Sequence, residues 1–81
     1  MKISVRLFAR ARDIAGADAL AVEIPPGATV ADLKKQLAIE CPALAALLER
    51  SALAVNDEFA DDALSLPSGA EIALLPPVSG G

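Results

Sequence analysis

The chain has 81 residues, a net charge of −4, one cysteine and no histidine. This length supports one small domain with a single core, and a lone cysteine leaves no internal disulfide. Because histidine, tyrosine and tryptophan are all absent, the sequence excludes a Ser-His or Cys-His nucleophile and offers no usual set of metal ligands.

Two stretches near the start alternate apolar and polar residues and are predicted to be β-strands. The first covers residues 3–7 and the second residues 19–24. Between them, residues 10–15 are predicted to form a short helical turn that Gly16 closes. The Pro-Pro-Gly sequence at 25–27 ends the second strand.

A helix is predicted after the second strand. Thr29 and Asp32 have the N-cap and N3 spacing of a capping box, with Asp where Glu is commoner. Apolar residues recur behind them on one helical face: Val30, Leu33 and Leu37. Cys41 and Pro42 end this helix, and residues 42–48 are predicted to form a second, shorter one.

The last third of the sequence is predicted to return to strands. Residues 53–55 form a short strand, and the Asn-Asp pair at 56–57 forms a turn after it. Residues 61–66 are predicted to be a loop with a brief edge strand. A Pro-Ser-Gly turn at 67–69 then leads into the final strand at 71–75.

This element order predicts an α+β fold, in which a mixed sheet packs on one main helix. The final strand lies most economically parallel to the first, through a right-handed crossover. That arrangement is a β-grasp fold, as in ubiquitin-like domains. The sequence therefore predicts a folded domain at residues 1–75 and an extended, flexible C-terminal tail at residues 76–81.

The last six residues are unsuited to a folded core. They are Pro76, Pro77, Val78, Ser79, Gly80 and Gly81. Glycine loses more backbone entropy on ordering than any other residue and buries no side chain, whereas consecutive prolines stiffen the chain into an extended spacer. The tail is therefore predicted to be a slim strip of backbone that threads a narrow channel in a partner protein.

The carboxylate of Gly81 is the distinctive chemical group that is left. Cys41 is expected to be a small apolar filler, the acidic pairs at 57–58 and 61–62 are expected to be solvated surface, and no metal site is expected. A carboxylate becomes an acyl donor only after activation, typically as a mixed anhydride with AMP. Activated Gly81 can take sulfide as a thiocarboxylate or join an amine as an isopeptide, and the residues alone leave both routes open.

Charge is distributed unevenly along the chain. Lys2 and three arginines precede the first acidic residue, whereas no Lys or Arg follows Arg50. The tail thus follows an acidic half, which favours a basic cleft on a partner protein and argues against nucleic acid. No apolar run approaches the roughly 20 residues that span a bilayer, and the start lacks a signal-peptide pattern. We expect a cytoplasmic protein with no membrane partner.

The tail sequence Pro-Pro-Val-Ser-Gly-Gly resembles the C-terminal signature of the MoaD family of sulfur carriers, the small subunits of molybdopterin synthase. Residues 7–13 and the pair Val55 and Asn56 also look like that family, and the likeness covers the whole chain. Two positions depart from it. Ala70 stands where aspartate is common, which is expected to remove a turn hydrogen bond, and Leu75 stands where an aromatic residue often precedes the prolines.

The resemblance implies a role for Gly81 and a set of partners. An activating enzyme would adenylate the Gly81 carboxylate with ATP and Mg²⁺, and a sulfur donor system would convert the glycyl adenylate into a thiocarboxylate. Tail residues 76–80 would then thread into the large subunit of molybdopterin synthase, in an assembly of two small and two large subunits. There the thiocarboxylate would donate sulfur to precursor Z. The large subunit would supply the catalytic side chains, so the chain would be a carrier and not an enzyme on its own, with no permanently bound cofactor.

Other functions stay open at the level of sequence. A ubiquitin-like modifier joined to lysines of other proteins would use the same activated Gly81. A sulfur carrier for thiamine or cysteine synthesis would also use it, although the Pro-Pro-Val segment is less expected there. A β-grasp binding module without reactive chemistry is the simplest alternative, and it predicts that deleting Gly81 changes nothing.

Overall fold

The computed structural model describes residues 1–77. Its elements in chain order are β1 (Lys2–Leu7), α1 (Ala9–Ala15), β2 (Ala19–Glu23), α2 (Val30–Glu40), a 3₁₀ turn (Pro42–Leu44), α3 (Ala45–Leu48), β3 (Ala52–Val55), β4 (Glu58–Ala60) and β5 (Ile72–Leu75). Within this described part, none of the helices has the length and apolar character needed to cross a bilayer. The predicted tail residues 78–81 lie outside the described residues.

The five strands form one mixed sheet in the order β2-β1-β5-β3-β4. β5 runs parallel to β1, with Val5 opposite Ile72 and Leu7 opposite Leu74. The other pairings are antiparallel. The predicted parallel pairing of the first and last strands is therefore confirmed, and so is the β-grasp architecture. β5 occupies the middle of the sheet, with a hydrogen-bonded neighbour on each side.

Helix α2 begins at the predicted capping box. The Asp32 backbone N–H donates to Thr29 Oγ1 over 3.3 Å, and the Thr29 N–H donates to Asp32 Oδ2 over 3.0 Å. That bond from the Thr29 backbone holds the pKa of Asp32 below its ordinary value. Behind the cap, Leu33 and Leu37 are fully buried. The helix ends where the Cys41 N–H donates to the Leu37 carbonyl, directly before Pro42.

The core lies between the helices and one face of the sheet. Alternate residues of the two central strands, Val5 and Leu7 in β1 and Ile72 and Leu74 in β5, are at most 2% exposed. Helical leucines complete the same cluster: Leu33, Leu37, Leu44 and Leu48. Because strand side chains alternate between faces, the intervening residues lie on a second face that no helix of the described chain covers.

Residues 61–66 are mostly loop, as predicted, and the brief strand predicted within them is a single antiparallel bridge between Ser65 and Thr29. The edge strand of the sheet, β4, lies earlier. Residues 61–66 also cross the N-terminus of α2, where the Val30 N–H donates to the Leu64 carbonyl over 3.0 Å and the Ala31 N–H donates to the Asp62 carbonyl over 3.1 Å. Helix starts leave N–H groups without partners inside the helix, and this segment accepts from two of them. Its partners are the start of a helix and the residues just before it, which explains why its sequence lacks extended strand alternation.

The predicted turn at Asn56 and Asp57 is confirmed, and it also fixes the final strand. Both residues have left-handed backbones, with φ of 50° and 69°, as a two-residue hairpin between β3 and β4 requires. Asn56 Oδ1 accepts from the Glu71 N–H over 3.0 Å, and the Asn56 N–H donates to the Glu71 carbonyl over 2.8 Å. The asparagine thus joins the hairpin to the start of β5.

Candidate functional site

The tail begins at the end of the central strand. Leu75 is the last residue of β5, and Ala52 of β3 lies directly opposite it. Pro76 and Pro77 follow, and because proline has no backbone N–H it cannot extend the strand ladder. Pro76 is half-buried and Pro77 is exposed. The sheet therefore sets the place from which the tail departs.

An open apolar depression lies at this point of departure, with a volume of about 470 Å³. Its lining combines the first tail residues with residues from three other parts of the chain: Phe8, Ala9, Arg50, Ala52, Phe59, Leu75, Pro76 and Pro77. Of the predicted site residues, the structure thus places Pro76 and Pro77 at this depression. Val78, Ser79, Gly80 and Gly81 lie outside the described residues.

Strand register places residues that line the depression next to one another. Phe59 in β4 pairs with Ala54 in β3, and Leu75 in β5 pairs with Ala52. Since Leu53 is a fully buried core residue between these two alanines, Ala52 and Ala54 point to the uncovered face. The small side chain of Ala52 leaves room on this face, while Phe59 and Leu75 stand on either side. Leu75 contributes an aliphatic wall.

Both aromatic residues of the chain lie at this depression. The sequence contains two phenylalanines and no tyrosine or tryptophan, and Phe8 and Phe59 are 39% and 79% exposed. Aromatic side chains usually contribute most to cores and interfaces. The core of this domain is wholly aliphatic, so its aromatic surface is available to a partner.

The backbone beside Phe8 is strained. Phe8 caps the start of α1 in an extended conformation without a side-chain cap, and Ala9 has a φ of 49°. A left-handed backbone costs a residue with a Cβ roughly 1–2 kcal/mol. This turn follows β1 directly and directs Phe8 toward the uncovered face. Backbone strain of this kind is common at functional sites, and here it lies at the rim of the depression.

Arginines stand at the same rim. The Arg6 guanidinium lies over the Phe8 ring, 5.6 Å from the ring centroid, which is within the range of a cation–π interaction. Arg50 lines the depression directly. In the sequence, the tail follows residues that carry only negative charge after Arg50. The fold brings Arg50 into the lining beside Pro76 and Pro77, and it places Arg6 over Phe8 in the same lining.

The acidic pair at 61–62 and the cysteine make contacts within the domain and do not line the depression. Asp62 Oδ1 accepts from the Lys34 ammonium over 3.0 Å, and Asp61 Oδ1 accepts from the Ala63 N–H over 3.1 Å. Cys41 is half-buried and packs against the core at the end of α2. Among residues 1–77, no group of three or more His, Cys, Asp or Glu is placed to hold a metal ion.

Together, these features define the class of protein to which the chain belongs. It is a ubiquitin-like β-grasp domain, and its central strand continues into a tail that ends in Gly-Gly. The model of the ThiS family matches residues 5–81. A molybdopterin synthase sulfur carrier subunit from Arabidopsis thaliana is 35% identical over 81 residues, which cover 100% of this chain and 84% of the plant protein. The chain therefore belongs to the ThiS family, and its predicted resemblance to molybdopterin synthase sulfur carriers is confirmed.

Solved structures support the same assignment. SAMP1 from Haloferax volcanii is 30% identical with a TM-score of 0.88, and the alignment covers 100% of both chains. A chain from the complex of subunits 1 and 2 of molybdopterin-converting factor from Helicobacter pylori is 28% identical with a TM-score of 0.71, again over 100% of both chains. The second structure contains a protein of this fold in complex with another subunit.

Proposed function

We propose that this chain is the sulfur carrier of molybdenum cofactor synthesis, with sulfur carried as a thiocarboxylate on Gly81. The observation that carries the proposal is the direct continuation of the central strand into Pro76 and Pro77 beside an uncovered apolar depression. The domain is held rigidly where the tail starts, and it exposes apolar surface there. Both properties suit a protein that docks on a partner before it inserts its C-terminus. The curated relative named as a sulfur carrier supports the same role.

The proposed chemistry begins with activation. A carboxylate oxygen of Gly81 attacks the α-phosphorus of ATP in the activating enzyme, pyrophosphate leaves with Mg²⁺, and a glycyl adenylate forms. Hydrosulfide supplied by the donor system then attacks the acyl carbon and displaces AMP, so that one C–S bond replaces the C–O bond to the phosphate. Glycine suits both steps because it places no Cβ beside the reacting carbon. The resulting thiocarboxylate is the group that transfers sulfur to precursor Z.

The chain contributes the carried group, and its partners contribute the catalysis. It has no histidine for general base chemistry, and its cysteine packs against the core away from the tail. We propose that the large subunit of molybdopterin synthase supplies the catalytic side chains, in an assembly of two small and two large subunits. Residues 1–75 act as the docking body and residues 76–81 as the inserted tail.

Protein tagging is not favoured as the main role. SAMP1 shares the fold, and another SAMP1 structure is described as a small archaeal modifier protein. Relatives that align over the full length of this chain, however, are molybdopterin synthase sulfur carrier subunits. The Pro-Pro-Val segment of the tail also favours the sulfur carrier role.

The test is an intact-mass measurement combined with complementation. Protein purified from cells that contain its own activating enzyme should carry one sulfur-for-oxygen exchange located at Gly81. Deleting Gly81 should abolish molybdopterin synthesis while leaving the urea unfolding midpoint unchanged, because every core residue found among residues 1–77 precedes Pro76. Cys41→Ser is the matched control and should keep both the exchange and the synthesis. Molybdopterin synthesis by the Gly81 deletion would refute the proposal.

A further inference from the structure

The charge around the depression differs in sign from the charge of the whole chain. The net charge is −4, yet the charged residue that lines the depression is Arg50, and Arg6 stands beside it through its contact with Phe8. These two residues are called the arginine rim here. The rim is therefore a positive feature on an acidic protein.

The arginine rim has no carboxylate partner in the described chain. Within residues 1–77, the ion pairs at 4.0 Å or less join the N-terminus to Glu23, Arg12 to Asp18 and Lys34 to Asp62. None of these pairs includes Arg6 or Arg50, and these two arginines differ from the other unpaired cations by their place beside the depression. Arg6 and Arg50 are both exposed, and their guanidinium groups remain available to an external carboxylate.

Strand register shows why no acidic residue reaches the rim. On the uncovered face, Arg6 lies between Ala19 of β2 and Ala73 of β5, and Ala73 pairs in turn with Ala54 of β3. Phe59 of β4 completes this row. Arg6 is therefore the sole charged residue in a row that crosses all five strands. This row therefore offers Arg6 no carboxylate.

Both arginines are attached to well-fixed backbone. The Arg50 N–H donates to the Leu47 carbonyl over 3.0 Å, and the hydroxyl of buried Ser51 donates to the same carbonyl over 2.6 Å. Arg6 belongs to β1, which is paired on both sides, and its guanidinium rests on the Phe8 ring. Groups that are held in place before binding lose less conformational entropy in a complex.

We infer that the arginine rim selects a partner surface that carries carboxylates on either side of an apolar side chain. The apolar side chain enters the depression, and the carboxylates accept hydrogen bonds from Arg6 and Arg50. Arginine suits this task because its planar guanidinium donates two parallel hydrogen bonds to one carboxylate. Complementary charge of this kind accelerates association and excludes wrong partners. The inference rests on the proposed function, since it describes the surface of the molybdopterin synthase large subunit that would dock here.

The experiment compares charge-reversed variants with a matched control. Arg6→Glu and Arg50→Glu change one rim residue each, while Lys35→Glu makes the same charge change at an exposed position of α2, in the helical layer. Binding to the large subunit encoded in the same genome is measured by surface plasmon resonance at low and physiological salt. Each rim variant should bind about tenfold more weakly, mainly through a slower association rate whose deficit shrinks as salt rises. Lys35→Glu should stay close to wild type.

The outcomes separate this inference from the proposed function. If wild-type protein binds and the rim variants match Lys35→Glu, the inference is wrong while the sulfur carrier role stands. If the rim variants bind more tightly than wild type, the partner surface is basic and the inference is again wrong. If wild-type protein binds no large subunit, the proposed function fails together with the inference. Arg6→Gln and Arg50→Gln, which remove charge without reversing it, should give intermediate affinities.

Discussion

Phe59 provides the sharpest test of the docking surface, because its side chain does little for folding. It is 79% exposed, so folding buries only about a fifth of its surface. Full burial of a phenylalanine side chain is worth up to about 3 kcal/mol, which leaves about 0.5 kcal/mol for folding and about 2 kcal/mol for a partner that covers the rest. Phe59→Ala should therefore separate docking from stability.

Two measurements check this separation. Urea unfolding should show that Phe59→Ala lowers the free energy of unfolding by about 0.5 kcal/mol. Titration calorimetry with the large subunit should show an affinity about 30-fold lower, since 1.4 kcal/mol corresponds to a factor of ten. Ile39→Ala is the matched control, because Ile39 is 70% exposed on α2 and belongs to the opposite layer. It should change the affinity little.

Either of two results would refute the reasoning. A stability loss well above 1 kcal/mol (about twice the expected value) would mean that Phe59 packs against the domain and is part of its folding energy. Unchanged affinity in Phe59→Ala, together with normal sulfur loading of Gly81, would mean that the partner docks elsewhere. In that case the depression would be only the place where the tail starts.

Two further predictions concern the framework that holds the site. Asn56→Ala should lower the free energy of unfolding by about 1–2 kcal/mol, because the Glu71 N–H loses its acceptor and a left-handed backbone becomes less favourable. Asn56→Gly should recover only the part of this loss that comes from the backbone. Equal urea midpoints for Asn56→Ala and wild type would contradict this prediction. Because the pKa of Asp32 is lowered, its bond to Thr29 stabilises the fold at pH values above the ordinary pKa of 3.8. This stabilisation is lost as the pH falls through the lowered pKa. The stability of Asp32→Asn should consequently change less between pH 5 and pH 2 (roughly the range of carboxylate titration) than that of wild type, and parallel acid unfolding curves would show that this bond contributes nothing.

Much of the fold follows from local sequence signals. The alternation in residues 3–7, the capping box at Thr29 and Asp32, and the turn at Asn56 each depend on a few neighbouring residues, and each is found where the sequence predicts it. The sequence did not predict edge strand β4, and the brief strand predicted within residues 61–66 is only a single bridge because that segment exchanges hydrogen bonds with residues 28–31, at the start of a helix. No pattern within that segment reports such a partner.

Local sequence signals likewise predict one part of the candidate site and not the other. Its tail residues could be predicted, because Pro-Pro followed by a terminal Gly-Gly is a property of adjacent residues. The depression could not, because Phe8, Arg50 and Phe59 come together only through strand register. One signal was available in the sequence: a chain with two aromatic residues, one of them directly after a strand and one in a charged segment, leaves both poorly placed for a core. The sign of the charge at the rim was missed because charge along the chain does not report which strands become neighbours.

The central position of β5 also fixes a distance. The strand is paired on both sides up to Leu74 and with β3 at Leu75, so the carboxylate of Gly81 can lie no farther from Leu75 than six residues of chain allow. Fully extended, six residues span about 20 Å. An enzyme that binds the depression and acts on the Gly81 carboxylate must have its reactive centre within that distance of Leu75. The same limit applies to every partner that binds there. Two partners with unrelated active sites would therefore need the same maximum distance between their docking surface and their reactive centre.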